Sequence, residues 1–492
     1  MGLLHFLVPR RDRVGANAAQ RAYFAGMDEV PWTSRIRWND HGLLLEREEF
    51  ESGNFYVPYV VDGRGELMLS TASLMERARP YHLHVELARG TLNRLRNQVA
   101  YSVPAAGSPL ANHLAAAHSE LSQAVTHQTD LDAAAEFADR SIAHSLAGIQ
   151  ALATAQSVQL IAARRQGGVR LSTLLGVNIG NWKPGGPLTE NVTAAFNTVQ
   201  IPLTWRDIEA REGHRDFSLA DAQIDAARAA GFKICGGPLL TLDKQSLPDW
   251  TYLFGEDDID SFRACVAEHI QEVVSHFRGR VHLWICSSGL NIESEFTPSE
   301  EERLRLAVLT IDSIRRQDPR SPIVLSIDQP WGAFMSRHEY DLSPLHFADA
   351  LVRAELGLSG LGLELNVAYT PDGSEPRDAL EFAHQMERYA SLGLPLLLSL
   401  TVPSGSELDP RAARKNEVIH YDTDPLSPAS QLHWAERVLP TLLARQPVQG
   451  ILWNQLRDSQ PHILAHGGLV DERDQPKPLL HYLAKLRRDY LA

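Results

Sequence analysis

A chain of 492 residues, 44% apolar and 22% charged, has the makeup of a globular protein and is long for one core, so two or three domains are expected. A formal charge of -14 argues against a nucleic-acid or anionic-membrane surface, which needs a basic face, and favours a neutral, polar ligand. The three cysteines, Cys235, Cys265 and Cys286, form no CxxC or His/Cys cluster, so no metal and no cofactor is expected, and they read as small buried residues in a reducing compartment.

The opening MGLLHFLVPRRDR has too short an apolar run, with its basic residues on the wrong side, for a secretory signal, and no run reaches the roughly 20 apolar residues of a membrane span. A cytoplasmic location follows as the default expectation. Residues 1–82 read as β-rich, with alternating runs around turns at Asn39–Gly42 and Asp62–Gly65, which predicts a small sandwich-like domain. From Leu83 the period changes to a helical one, with Leu87, Leu92, Leu95 and Val99 on one face. A break at Pro104, Gly107 and Pro109 is followed by alanine-rich helical runs, so 83–165 reads as an antiparallel helical segment, a candidate stalk or homo-oligomer surface.

After Gly167-Gly168, short apolar runs alternate with amphipathic helices: LSTLLGVNIG, FNTVQIPL, FKICGGPLL, VHLWIC, PIVLSI, LGLELNV, PLLLSLTV and GILW. Eight strand candidates separated by helices predict an α/β fold, a (β/α)8 barrel over 171–492, with ligands over the carboxyl ends of the strands. GVNIGNWKPGG is not a GxGxxG turn, which weighs against a dinucleotide-binding sheet.

Several barrel segments resemble family-10 glycoside hydrolases, the xylanase family. WRDIEAREGHRDFSLADAQIDAARAAG is similar to that family's W-x-x-x-E-P-x-x-G-x-F-x-F-x-x-A-D run, with Trp205, Glu209, Gly213, Phe217 and Asp221 in register. LPDW at 247–250, SGLGLEL, ASLGLPLLLSLTV and HGGLVDERDQPKP resemble later motifs in the family's order, over Leu171 to Ala492 only. The resemblance implies a retaining glycosidase with two carboxyl groups about 5 Å apart. Carried over residue by residue, however, it puts Gly289 at the acid/base position of WDVVNE and Leu400 at the nucleophile position of ITELD. The sugar-gripping charged groups of the second strand and both histidines of the third are also replaced.

The barrel mouth still offers polar groups. In LGLELN, Glu364 and Asn366 share the face opposite Leu361, Leu363 and Leu365, and a lumen carboxylate needs a partner, for which Arg457 is a candidate. The loop after the fourth strand carries Asn291, Glu293 and Glu295, and Glu293 is a candidate replacement acid or a solvated helix-entry charge. After the fifth strand come Asp328 and Trp331, and after the eighth Trp453, Asn454, Gln455, Arg457 and Asp458. Trp205, Trp331 and Trp453 suit stacking on a sugar ring, or are core.

Three readings follow: a divergent glycoside hydrolase using Glu364 with Glu293 or Asp328, a carbohydrate-binding pseudoenzyme, and an oligomeric scaffold with a passive barrel. The expected partner is a carbohydrate, with no nucleic acid and no membrane.

Overall fold

The structure is a computed structural model, and it describes residues 2–15, 17–100, 104–254, 258–294, 296, 298–422 and 425–492. The N-terminal strands are β1 (Gly2–Leu7), β2 (Tyr23–Ala25), β3 (Pro31–Trp32), β4 (Ser34–Trp38), β5 (Gly42–Arg47), β6 (Asn54–Val61), β7 (Gly65–Ser70) and β8 (Tyr81–His82), with a short helix α1 (Ala18–Arg21) between β1 and β2. They form two four-stranded sheets, ordered β4-β5-β1-β8 and β3-β2-β6-β7. Both turns read from the sequence close antiparallel hairpins, β4 with β5 and β6 with β7.

Three helices follow, α2 (Leu83–Val99), α3 (Pro109–Thr126) and α4 (Leu131–Arg164). Helices α3 and α4 pair antiparallel, with the Ser141 hydroxyl donating to the Ala117 carbonyl and Arg140 bridging Glu120. Sheets and helices share one core: Phe6, Phe24 and Val57 cluster with Leu87 and Leu95 of α2 and with Ile142 and Leu146 of α4. Helix α4 is long and apolar enough to cross a membrane by length and composition, which the sequence reading missed. Its first half packs in this core, while Ile161 near its other end belongs to the barrel core. There Arg164 donates to the carbonyls of Leu443 and Arg445, and Ser157 meets Thr441.

The barrel comprises β9 (Leu174–Asn178), α5 (Leu188–Ala195), β10 (Thr198–Ile201), α6 (Trp205–Ile208), α7 (Ser218–Ala229), β11 (Lys233–Gly236), α8 (Ile259–Phe277), β12 (Leu283–Ser287), α9 (Glu300–Gln317), β13 (Ile323–Asp328), α10 (Pro344–Arg353), β14 (Gly360–Asn366), β15 (Tyr369–Thr370), α11 (Ala379–Ala390), β16 (Leu396–Thr401), β17 (Glu417–Val418), α12 (Pro428–Ala444), β18 (Val448–Trp453) and α13 (Pro478–Tyr490). Eight parallel strands close in the order β10-β11-β12-β13-β14-β16-β18-β9, a (β/α)8 barrel as expected, while β15 and β17 pair separately over the mouth. Alternation along each strand divides the barrel into two apolar regions. Cys235, Ile285, Val324, Leu397 and Leu452 fill the lumen. Their strand neighbours, such as Leu325, Leu398 and Ile451, face the helices.

The N-terminal unit is clamped to the barrel beside α11. Arg21 bridges Glu66 and Glu375, Arg94 bridges Asp378 and Glu381, and the Arg377 guanidinium donates to the Tyr23 hydroxyl. The tip of the β6–β7 hairpin is pressed on the same side. Gly65 holds φ at 68°, and a Cβ there would lie 2.4 Å from both the His420 carbonyl oxygen and the Asp422 nitrogen. Gly65→Ala therefore strains the backbone and pushes the hairpin off the barrel. A loss of about 2 kcal/mol or more is expected, read as a lower unfolding midpoint; an unchanged midpoint would show that the contact is not needed.

Candidate functional site

The carboxyl ends of β13 and β14 form the site. Val324 points into the lumen, so Ser326 and Asp328 do as well, and the parallel register sets Ser326 beside Gly362 and Asp328 beside Glu364. Gly362 has a local reason: a Cβ there would lie 2.8 Å from the Ser326 hydroxyl. The space it leaves lets Ser326 donate to Glu364 Oε1 at 2.9 Å, while Asn454, just past β18, donates to Glu364 Oε2 at 3.1 Å and to Asn366 Oδ1 at 3.0 Å. Glu364, Asn366 and Asn454 thus form one hydrogen-bonded group that reaches from β14 across β16 to the end of β18.

Asp328 is buried beside it, accepting from the Gln329 N–H at 2.8 Å. Asn291 clamps the backbone at this point, donating to the Asp328 carbonyl at 2.8 Å and accepting from the Asp328 N–H at 2.9 Å. Both ends of that amide are engaged, so Asn291 braces the end of the strand and does not reach into the lumen. The charge balance comes from a residue the sequence reading passed over. Arg414, in the long loop between β16 and α12, pairs with Asp243 at 3.6 Å and acts electrostatically on both Asp328 and Glu364.

Burial first, and then the Asp328 charge, push Glu364 up to about 7 against the hydrogen bonds from Ser326 and Asn454 and the pull of Arg414. Burial likewise pushes Asp328 up to about 6, with Arg414 opposing and Asp372 and Asp243 adding to the rise. Both groups therefore hold protons more tightly folded than unfolded. Their contribution to stability is fully present below about pH 4 and is lost as pH rises through about 6 and 7. The move of Glu364 from 4.5 to about 7 is worth up to about 3 kcal/mol. Glu364→Gln removes that titration, so the melting temperature of the variant relative to the parent should climb between pH 4.5 and 7. A difference that stays flat across this window counts against the assignment.

Other candidates lie elsewhere. Arg457 faces Asp474 at 3.7 Å and is not the partner of Glu364. Glu293 is exposed, its backbone hydrogen-bonded to the Tyr340 phenol, and is not among the main groups acting on Glu364 or Asp328; Glu295 lies outside the described residues. Gln455 and Asp458 are buried in a closed cluster: Asp458 accepts from Gln455 at 2.8 Å and from the Gly468 N–H at 2.7 Å, and pairs with Lys477.

The tryptophans are core. Trp205 stacks on His269 at 4.9 Å and donates to Glu209; Trp453 donates to the Gly467 carbonyl; Trp331 has its ring edge-on to Phe382 and the Arg377 guanidinium 4.9 Å above it. Leu400, set at the nucleophile position by the resemblance, faces the helices, because Leu397 and therefore Ser399 and Thr401 face the lumen. A one-residue change of register thus brings serine or threonine, and no carboxylate, to the lumen on β16.

Residues 172–286 match the model of glycosyl hydrolase family 10. The matched stretch runs from β9 through most of β12. The chain is 33% identical over 87 residues to a beta-1,4-xylanase from Dictyoglomus thermophilum, a match spanning 18% of this chain and 23% of that relative's length. Solved structures with a similar fold include native xylanase 10B from Thermotoga maritima, with a TM-score of 0.49 and 16% identity over 67% of this chain and 97% of that one. Xylanase 10B from Thermotoga petrophila RKU-1, in complex with xylobiose, gives 0.48 and 18% over 66% and 95%. Residues 1–171 and 287–492, which include Asp328 and Glu364, lie outside the family match.

Proposed function

We propose that this glycoside-hydrolase-like protein acts on an oligosaccharide or polysaccharide by O-glycosyl hydrolysis at the barrel mouth, with Glu364 and Asp328 as the working pair. The observation that carries this reading is the register of β13 against β14, which sets the two carboxyl-bearing residues side by side at the carboxyl ends of their strands. Neighbouring strands lie about 4.8 Å apart. That spacing lets the two side chains bring their carboxyls to the roughly 5 Å separation of retaining glycosidases. Glu364, with the higher pKa, is the proton donor to the leaving oxygen, and Ser326 can accept or donate as its proton moves. Asp328 ionises first and is the nucleophile. Gln200 Oε1 and Thr401 Oγ1, buried on the lumen face with no partner among the described residues, suit sugar hydroxyls.

A second reading, carbohydrate binding without turnover, is favoured by β16, whose lumen face carries Ser399 and Thr401 in place of an acid. A screen on aryl glycosides and soluble xylan separates the two. Release of the aryl group supports hydrolysis; saturable oligosaccharide binding with no product supports the second reading.

A further inference from the structure

A second cleft lies at the seam between the N-terminal unit and the barrel, about 440 Å³ counted out to its open mouth. Three arginines line it: Arg64 from the β6–β7 hairpin, Arg377 from the segment before α11, and Arg437 from α12, with Tyr421 and Trp434 beside them. Four guanidiniums gather around this seam, those three and Arg94, yet the carboxylates that pair with them are three. Asp378 and Glu381 engage Arg94, Glu381 also lies 3.6 Å from Arg377, and Asp422 lies 3.7 Å from Arg437 and 3.2 Å from His433.

Arg64 is the one left over. Its guanidinium makes no hydrogen bond or ion pair among the described residues, and the countercharge acting on it, Asp378, is already held by Arg94 and by the N–H groups of Leu380 and Glu381. Burial and the neighbouring Arg437 both work against its charge. Three further donors are buried without hydrogen-bond acceptors: the Trp434 indole N–H and the Arg377 Nε and Nη1, in side chains 4% and 3% exposed. The excess is built in, because Gly65 admits the hairpin against residues 420–422 and so fixes Arg64 at this seam.

A buried donor with no acceptor costs about 1–3 kcal/mol, and guanidiniums converging without a countercharge cost more. Such an arrangement is what an anion would satisfy, since a guanidinium matches an oxyanion with paired N–H groups. We propose that this cleft binds a small oxyanion between Arg64 and Arg437, joining the N-terminal unit to the barrel. Inorganic phosphate and the carboxylate of a uronic acid both present that chemistry.

Calorimetric titration of the full chain with inorganic phosphate and, separately, with glucuronate tests the proposal, with chloride at matched ionic strength as control. Saturable binding is expected, and Arg64→Gln should raise the dissociation constant at least tenfold. Loss of phosphate binding in that variant identifies a free oxyanion as ligand, and loss of glucuronate binding alone identifies a sugar acid. In anion-free buffer the same variant should melt higher than the parent, because it removes an unpaired charge. Should Arg64→Gln not fold, Arg437→Gln carries the same comparison. No saturable binding of either anion, or equal affinity in parent and variant, overturns the proposal.

Discussion

Glu364→Gln is expected to lower turnover of an aryl glycoside by at least about 100-fold while leaving the melting temperature at pH 4.5 close to that of the parent. Gln keeps the size of the side chain and can still accept from Asn454, but it carries no transferable proton. Asp328→Asn should be at least as damaging, since it removes the attacking oxygen. Because the roles differ, the variants separate on substrates with different leaving groups. A leaving group that departs without protonation rescues Glu364→Gln and does nothing for Asp328→Asn. Two active variants, with the parent also active, would move the chemistry to other residues. The pH profile gives an independent check: activity should fall as pH rises above about 7, where Glu364 loses its proton, and as it drops below about 6, where Asp328 gains one.

Asp458→Ala should cost about 3–5 kcal/mol of stability, the largest effect expected of a single change away from the lumen. Lys477 is 4% exposed, its ammonium bonded to Asp458 and to the Ser404 hydroxyl, and burial lowers its pKa. Removing the carboxylate leaves this cation buried and strips acceptors from Gln455 and Gly468. The double variant Asp458→Ala with Lys477→Met should recover part of the loss, because the stranded charge goes too. A chemical-unfolding midpoint that barely moves in Asp458→Ala would mean that solvent reaches the pair.

How much of this was legible in the sequence depends on how local the signal is. Eight apolar runs separated by helices specify a barrel because each strand and helix announces its own period, and all eight appear as strands. Alternation also put Glu364 and Asn366 in the lumen. Applied consistently, it would have found Ser326, two residues before Asp328, and would have turned Trp453 outward, since Leu452 and Asn454 flank it on the lumen side. Arg414 was not legible: it sits in the loop between Thr401 and Pro428, where no period exists and the path is set by tertiary contacts. The pairing of Arg457 failed for a similar reason, since Asp474 reaches it from a later loop. The helical period of 83–165 was plain, but its packing on both the sheets and the barrel depends on contacts more than 200 residues apart, such as Arg94 with Asp378.

Helix α4 is shared between two cores, with Leu146 in one and Ile161 in the other. It runs unbroken from one core to the other, so a clamshell motion of the N-terminal unit over the barrel would have to bend or break this helix. Movement at the mouth then falls to its loops, among them the one that carries Arg414.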